Sequence, residues 1–502
     1  MARRSVLSTS APSLLLGLLI VLGLGLRLLD LKDPPFDFHP TRQLGSAVIA
    51  RGMYYQALPS APEATRRLAI NLWSAAPVYE APILETMVAG TYLAMGGENL
   101  WVARLYSSLL WVSGVIPLVL IGRRLGWRAG SLASIAFYLV VPFGVRASRS
   151  FQPDPWMAAI LLFAAWALLE WRHSPRWGLA VAAGLLAGLA VMIKPVAAFP
   201  VAGAMIGLTI AGPGIRRAIR EPQLWAVAAL AVLPSLAYFM LIPSRSTGFL
   251  EFWVGSFTEL WTQAAFYVRW VEEANSVVLL PWLCLGGIGT LLFPAGGPRG
   301  MVLGLWVGYG LYGLALPYQI STHDYYHLML IPITALLLMP LAELLWERLR
   351  PEPGVWRVAA LAVLAFALAV RSWQSRTALL SEDYRGEAGG WKAIGEALPK
   401  DGAILALTHD YGFPLAYYGW TQVSLWPSLA DVNVLEMADH DQGDIEAAFR
   451  ARSKGFRYFL VTDFGELARQ PELQDYLEAG FQVAAEGDGF VIYDLALPLP
   501  DS

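Results

Sequence analysis

Near the start of the chain, three residue types suited to acid–base chemistry or anion binding lie within six positions. Asp37, His39 and Arg42 follow the first long apolar run, residues 14–31. Pro40 stands among them and has no backbone N–H, so the preceding helix cannot continue through this segment. Charged side chains beside hydrocarbon are costly unless they face a polar cavity or do chemistry. The alternative is a loop at the membrane surface whose long side chains reach the lipid head groups.

Four further segments place polar residues beside apolar runs. They contain Glu80; Arg146, Arg149, Gln152 and Asp154; Lys194; and His323, Asp324, Tyr325, Tyr326 and His327. Each also has a simpler explanation. Arg149 and Lys194 would reach lipid head groups. Asp154 and Asp324 would cap the helices that follow them, since Asp is a preferred N-cap. His323 would be an ordinary hydrogen-bonding loop histidine.

Composition identifies the class of protein. The chain of 502 residues is 56% hydrophobic, and its mean hydropathy is +0.49. No soluble globular domain has this composition, so it indicates a membrane protein with many spans. The net charge of −3 gives no reason to expect nucleic acid as a partner. Cys284 is the only cysteine, which excludes an intramolecular disulfide and a cysteine-based metal site.

Eleven apolar windows are long enough to cross about 30 Å of hydrocarbon. They lie near residues 12–31, 101–122, 129–145, 154–171, 177–193, 196–211, 223–242, 277–293, 301–319, 328–346 and 355–372. Only Lys194 and Pro195 separate 177–193 from 196–211, so these two windows form either a broken pair or an irregular hairpin.

The distribution of arginine predicts the orientation in the cell membrane, because short cytoplasmic loops carry an excess of Lys and Arg. With the N-terminus in the cytoplasm, every short cytoplasmic connection contains at least one Arg. The opposite side then receives the loops 32–100, 146–153, 243–276 and 320–327, the break at Lys194, and the tail after residue 373. All five polar segments fall on that side, which favours a polar cavity at the external leaflet.

Two domains are predicted. Residues 1–373 form the transmembrane domain, and their external loop 32–100 contains helix-like segments at 43–57 and 61–73. Residues 81–98 in the same loop are interrupted by Glu85 and are typical of a helix lying on the membrane.

Residues 374–502 are richer in charge and predict a small soluble extracytoplasmic α/β domain. Its strand-like runs are Ala403–Leu407, Phe456–Val461 and Phe490–Tyr493, and its helix-like segments are Gly389–Leu398, Asp444–Ser453 and Pro471–Ala479. It contains no P-loop and no glycine-rich dinucleotide fingerprint, so no nucleotide cofactor is expected.

The order of these features resembles the GT-C superfamily of integral membrane glycosyltransferases, in particular the group of protein O-mannosyltransferases and lipid A aminoarabinose transferases. The resemblance covers roughly residues 30–345. It rests on Asp37 after the first span, Thr41-Arg42-Gln43, Tyr79-Glu80-Ala81-Pro82, Glu98 to Leu105, Ser148 to Asp154, Met192-Ile193-Lys194-Pro195 and Asp324-Tyr325-Tyr326. It implies an α-helical polytopic fold with about eleven transmembrane helices.

The resemblance also implies a reaction. The family's donor is a sugar on a polyprenyl phosphate, and the anomeric centre is inverted. A general base must take the proton of the attacking hydroxyl, and the resemblance assigns this role to Asp37, with Glu80 as a second catalytic carboxylate. The leaving phosphate needs cations, for which Lys194, Arg149 and Arg42 are the candidates.

The remaining site assignments follow from the same resemblance. The candidate substrate-binding residues are His39, Gln43, Asp324 and Tyr325. Glu80 and His323 are candidate ligands for a divalent metal cation. The donor's phosphoester supplies the energy, so no nucleotide is needed. The implied partners are the polyprenyl-phosphate-linked sugar, the lipid bilayer, and an acceptor that is a lipid, a glycan or a protein.

Two other functions remain open at this stage. A transporter or flippase of lipid-linked sugars also needs many spans, but it predicts inverted repeats and polar residues in the cytoplasmic half, and neither is visible. A non-catalytic membrane assembly subunit predicts that loss of the Asp37 carboxylate leaves activity unchanged.

Overall fold

The computed structural model describes residues 7–242, 252–254, 256–438 and 444–498. Part of the predicted external loop 243–276 therefore lies outside the described residues. The chain divides into two compact units. The helical unit comprises residues 1–31, 78–84 and 101–382, and the mixed unit comprises residues 32–77, 85–100 and 383–502.

The helical unit contains a helix or a helix pair at each of the eleven apolar windows. Its α-helices are Leu7–Leu28, Trp101–Ser113, Val115–Leu125, Arg128–Val140, Pro142–Ala147, Asp154–His173, Trp177–Ile193, Ala198–Ala211, Ile215–Ala218, Pro222–Leu241, Ala264–Val278, Leu280–Leu292, Gly297–Ala315, Pro317–Thr322, Leu330–Leu349 and Gly354–Leu380. Short 3₁₀ turns are Pro195–Ala197, Thr258–Thr262 and Asp324–His327.

Within the described residues, five helical stretches are long and apolar enough to cross a membrane. A sixth is the pair Ala264–Val278 and Leu280–Leu292, if that pair, bent by 90°, is one span. Trp177–Ile193 and Arg128–Val140 are among the shorter apolar helices. A multi-pass membrane protein is thus confirmed, whereas the count of eleven spans stays a prediction.

Glycines bring two helices of this unit into backbone contact. A Cβ on Gly304 would lie 1.9 Å from the carbonyl oxygen of Gly203, and a Cβ on Gly207 would lie 1.9 Å from that of Gly300. No side chain fits at either position, so helices Ala198–Ala211 and Gly297–Ala315 pack as closely as small residues spaced four apart allow.

The loop after the first helix folds into three helices, Pro40–Gln56, Glu63–Ala75 and Ile83–Met95. The first two confirm the segments predicted at 43–57 and 61–73. Ile83–Met95 has 13 residues, which is too short to span a bilayer as a straight helix. Its Glu85 is buried and accepts a hydrogen bond from Ser46 Oγ at 2.7 Å.

The mixed unit also holds a five-stranded sheet in the order β2-β1-β3-β5-β4. The strands are β1 (Ile404–Leu407), β2 (Ser424–Leu425), β3 (Tyr458–Val461), β4 (Phe481–Gly487) and β5 (Phe490–Pro498). β1 pairs in parallel with β2 and β3, whereas β5 is antiparallel to β3 and β4. The helices of this region are Arg385–Ala397, Phe413–Tyr418, Leu429–Met437, Ile445–Arg452, Phe464–Ala468 and Pro471–Gly480.

Alternation along the central strands builds a core on both faces of this sheet. Leu405 and Leu407 of β1 lie in one buried cluster with Phe449. Ile404 and Ala406 lie in the other. Burial on both faces explains why β1 and β3 are continuous apolar runs that the sequence reveals, and the small C-terminal α/β fold is confirmed.

Loop helices 40–56 and 63–75 cluster with the sheet region in one unit, whereas the sequence analysis placed loop 32–100 in the transmembrane domain. The reason is local packing. A Cβ on Gly45 would lie 3.3 Å from the Phe413 ring, and Thr41 Oγ1 donates to Asp410 Oδ1 at 2.9 Å.

Candidate active site

Lys194 lies at a break between two helices of the helical unit. Helix Trp177–Ile193 ends there because the next residue is Pro195, which disfavours helical backbone at the residue before it. Lys194 accordingly has extended backbone angles, φ −149° and ψ 113°. Its side chain is nonetheless only 4% exposed, so it does not reach out to lipid head groups.

Three side chains surround the Lys194 ammonium. Asp154, 1% exposed, forms an ion pair with it through Oδ1. The ammonium also lies 4.5 Å from the ring centroid of Tyr326 and 5.1 Å from that of Tyr325. Buried charges persist in proteins when they are paired, and aromatic faces add attraction of roughly 0.5–2 kcal/mol each. Lys194 is therefore held in place as a buried, paired cation.

The alternative that Asp154 caps the following helix is wrong. The N-cap of helix Asp154–His173 is Pro153, and no side-chain hydrogen bond caps it. Asp154 instead stands in the first turn, where a carboxylate favours the helix dipole, and its side chain turns to Lys194.

A hydrogen-bonded chain fixes the segment that carries the two tyrosines. His327 Nε2 lies 2.8 Å from the carbonyl oxygen of Ile320, and its Nδ1 lies 2.6 Å from the Tyr309 hydroxyl. A carbonyl only accepts, so Nε2 carries the proton and Nδ1 accepts from Tyr309. Trp270 Nε1 in turn donates to the Tyr309 hydroxyl at 2.8 Å. His327 is fully buried and was missed as a positioning residue by sequence reasoning.

Arg149 joins the loop before Asp154 to the end of the first helix. Its two terminal nitrogens donate to the carbonyl oxygens of Leu29 at 2.6 Å and Asp30 at 2.8 Å. It is 2% exposed, so the alternative that it reaches lipid head groups is wrong. Nearby, Arg27 Nε donates to Ser148 Oγ at 2.6 Å.

Asp37 lies in the mixed unit, half-buried, and Gln43 orients it. Gln43 Nε2 donates to the carbonyl oxygen of Phe38 at 2.6 Å and lies 3.4 Å from Asp37 Oδ1. The buried Gln43, predicted to bind substrate, therefore also positions the candidate base.

His39 precedes the helix that carries Gln43 and has an unusual backbone. Its φ of 45° is in the left-handed region, which few residues other than glycine adopt. Its ring lies edge-on to Phe38, with centroids 4.5 Å apart. Strained residues of this kind cluster at functional sites.

The turn after β1 supports the same loop through Asp410. Burial raises the pKa of the Asp410 carboxyl, although the hydrogen bond from Thr41 works in the opposite direction. Asp410 and the next residue, Tyr411, both have positive φ, 50° and 55°.

Sequence reasoning missed a second group of contacts within the mixed unit, centred on Arg51. The guanidinium of Arg51 lies 3.8 Å from the ring centroid of Tyr417 and 4.1 Å from that of Trp420. Its Nε donates to Glu98 at 2.8 Å, and its Nη1 donates to the Tyr417 carbonyl oxygen at 2.5 Å. We call Arg51, Glu98, Tyr417 and Trp420 the arginine clasp. The sequence signal was Arg51 itself, which interrupts the run of small and apolar residues 47–52.

The remaining predicted residues are only partly brought together. His323 is half-buried among tyrosine rings, with Tyr325 at 5.6 Å and Tyr326 at 5.7 Å between centroids. Asp324 opens the 3₁₀ turn Asp324–His327. Glu80 and Arg42 are half-buried, and Glu80 belongs to the helical unit whereas Arg42 belongs to the mixed unit.

The described residues contain no complete protein site for the predicted divalent metal. In the ranges that the structure describes, no three His, Cys, Asp or Glu side chains are grouped so that they could share an ion. Glu80 and His323 therefore stay predicted ligands, with no third protein ligand of this kind grouped with them among the described residues.

Comparisons with known proteins address the fold directly. The family model for dolichyl-phosphate-mannose-protein mannosyltransferase matches residues 80–240. No curated protein sequence is significantly similar to the chain. Among solved structures, ArnT from Cupriavidus metallidurans bound to undecaprenyl phosphate matches with a TM-score of 0.60 and 16% identity, over 96% of this chain and 97% of that one.

A second solved structure comes from an archaeon. The oligosaccharyltransferase AglB from Archaeoglobus fulgidus, in complex with an inhibitory peptide and a dolichol-phosphate, matches with a TM-score of 0.58 and 12% identity. The match covers 97% of this chain and 74% of AglB. This chain has the GT-C fold. The fold implied by the resemblance to membrane glycosyltransferases of the GT-C superfamily is thereby confirmed. The range matched by the family model, 80–240, includes Glu80, Arg149, Asp154 and Lys194.

A further structure of the Archaeoglobus fulgidus oligosaccharyltransferase, in complex with Zn and sulfate, matches with a TM-score of 0.53 and 13% identity. It covers 97% of this chain and 74% of that chain. The zinc belongs to that protein.

Proposed function

We propose that this GT-C protein transfers a sugar from a polyprenyl-phosphate donor to an acceptor hydroxyl, with inversion at the anomeric carbon. The observation that carries the proposal is the buried Lys194 ammonium, held at a helix break between Asp154 and two tyrosine rings. It occurs in a fold shared with an ArnT structure that contains undecaprenyl phosphate.

Lys194 is the first contact for the donor phosphate. An ammonium has three N–H donors, and the bond to Asp154 uses one of them. A cation placed beforehand at the leaving phosphate stabilises the charge that develops there without reorganisation. Arg149 and Arg42 are further phosphate-binding candidates, although two nitrogens of Arg149 already donate to backbone carbonyl oxygens.

Asp37 is the general base. A carboxylate within hydrogen-bond reach of the acceptor hydroxyl takes its proton as the oxygen attacks the anomeric carbon. The bond to the donor phosphate breaks as the new glycosidic bond forms, and the polyprenyl phosphate leaves as an anion. Gln43 supports this role because its amide restrains the Asp37 carboxylate. His39, Asp324 and Tyr325 bind substrate, and Glu80 is the second catalytic carboxylate.

The reaction takes place on the extracytoplasmic side of the cell membrane, with the N-terminus in the cytoplasm. The arginine distribution supports this orientation. The acceptor is a lipid, a glycan or a protein that presents a hydroxyl there.

The test is donor turnover by the purified chain in vesicles that contain undecaprenyl-phosphate-linked sugar and an extract of cell-envelope acceptors. We expect Asp37→Asn to lower release of undecaprenyl phosphate at least a hundredfold, in the range of lost general base catalysis. The control is Glu63→Gln, the same change of carboxylate to amide at an exposed position of the same loop. Full turnover by Asp37→Asn would reject Asp37 as the base.

A further inference from the structure

Gln152 differs from the residues around it because its amide is buried without a partner. It is 0% exposed, and neither Nε2 nor Oε1 has a hydrogen-bond partner among the described residues. Two neighbouring hydroxyls are satisfied: Ser148 Oγ accepts from Arg27, and Ser150 Oγ donates to the carbonyl oxygen of Ala147 at 2.7 Å. Buried amides in native proteins are almost always hydrogen-bonded, so this one indicates a missing partner.

A second unmatched atom lies two residues further along the chain. Asp154 gives Oδ1 to Lys194, but its buried Oδ2 has no hydrogen-bond partner within the ranges that the structure describes. Three buried atoms are thus unmatched: the donor Gln152 Nε2 and the acceptors Gln152 Oε1 and Asp154 Oδ2. Asp154 also belongs to the ion pair at the proposed phosphate site.

The chemistry of these atoms selects the class of partner. A phosphate only accepts hydrogen bonds, so it would leave Oε1 of Gln152 and Oδ2 of Asp154 unmatched. A hydroxyl group both donates and accepts, so hydroxyl groups are the class of partner that can match all three atoms. Sites built to bind a hydroxyl also discriminate strongly against ligands that lack it.

We propose that Gln152, together with Asp154 Oδ2, recognises hydroxyl groups of the sugar carried by the polyprenyl-phosphate donor. The proposal rests on the proposed function, and it makes Gln152 a specificity-determining residue. Lys194 holds the phosphate and Gln152 reads the sugar attached to it. A buried water bound between the same atoms is the competing occupant.

The test measures affinities of the purified full-length chain for three probes: undecaprenyl phosphate, undecaprenyl-phosphate glucose and undecaprenyl-phosphate mannose. We expect wild type to prefer at least one sugar-bearing lipid over the bare phosphate lipid. In Gln152→Met this preference should fall about tenfold, while affinity for undecaprenyl phosphate itself stays within twofold. The matched control is Gln223→Met, because the Gln223 amide oxygen already accepts from Trp171 Nε1 at 2.9 Å.

The outcomes separate the two proposals. An unchanged preference in Gln152→Met, or equal weakening of all three probes, overturns the role of Gln152 and favours the buried water. A wild type that prefers neither sugar lipid overturns it as well, whereas a wild type that binds no undecaprenyl lipid overturns the proposed function itself. Should Gln152→Met fail to fold, Gln152→Asn keeps an amide but shortens its reach, and we expect it to lower the same preference.

Discussion

The arginine clasp gives a prediction that is independent of the chemistry. Arg51 is 6% exposed and Glu98 is 15% exposed as side chains, so the charges are largely removed from water. Removing one partner of such a pair leaves the other buried and uncompensated, at a cost of roughly 3–5 kcal/mol. Arg51→Met keeps most of the aliphatic volume but removes the charge and every N–H donor, so its cost should lie in this range.

This loss of stability should make local opening of helix Pro40–Gln56 more frequent. A loss of about 3 kcal/mol corresponds to amide exchange on the order of a hundredfold faster, since each 1.4 kcal/mol is tenfold. Hydrogen exchange followed by mass spectrometry on the full-length chain in detergent measures this directly. Arg51→Lys keeps the charge but loses the planar face between Tyr417 and Trp420, so we expect an intermediate acceleration.

Arg67→Met is the matched control. Arg67 pairs with Glu63 on the next helix, where the two side chains are 70% and 77% exposed. Exposed pairs contribute about 0.2–1 kcal/mol, so exchange in helix Glu63–Ala75 should rise less than about sixfold. If Arg51→Met accelerates exchange in helix Pro40–Gln56 no more than Arg67→Met does in its own helix, the clasp does not stabilise this unit.

Three more predictions concern packing, pH and the buried ion pair. Gly304→Leu should abolish the folded fraction seen by size-exclusion chromatography, because a Cβ at this position has no room beside Gly203. A Cβ at Gly310 on the same helix meets nothing within 4 Å, so the control Gly310→Leu should fold. Equal folded fractions of the two variants would contradict the close packing. Burial raises the pKa of Asp410, so this group's contribution to stability is present below the ordinary value near 3.8 and is lost as pH rises through the raised pKa. The melting temperature of Asp410→Asn should therefore rise relative to that of wild type as pH rises from 3.8. A difference in melting temperature that does not change with pH would refute burial of Asp410 as the cause. Lys194→Met should lower thermal stability because it leaves the buried Asp154 carboxylate without its ion-pair partner. The double variant Lys194→Met with Asp154→Leu should recover part of the lost stability, while both variants lose sugar transfer. A double variant less stable than Lys194→Met would argue against the ion pair.

The sequence predicted the elements whose burial is uniform. A helix in hydrocarbon needs a long apolar run, and the central strands β1 and β3 are covered on both faces, so both kinds of element are visible as patterns. The two-residue β2 is exposed, and β4 is mostly exposed, so neither has an apolar signature and both were missed. β5 was recognised only in part, at Phe490–Tyr493.

Pairings across the chain were beyond sequence reasoning. Lys194 was recognised from the break at Pro195, but its partner Asp154 lies 40 residues away, and the sequence left open whether Asp154 caps a helix or belongs to the site. The Arg51 contact to Tyr417 joins residues separated by 366 positions. Residue type identifies a group that needs a partner, whereas only the packed structure identifies which group satisfies it.

The most direct test of the account is a structure of the purified chain bound to undecaprenyl phosphate. We expect density for the phosphate within hydrogen-bond distance of Lys194 Nζ, roughly 2.7–3.2 Å, with the Tyr325 and Tyr326 rings beside it. Phosphate density at another place, with Lys194 still bound to Asp154 alone, would contradict it.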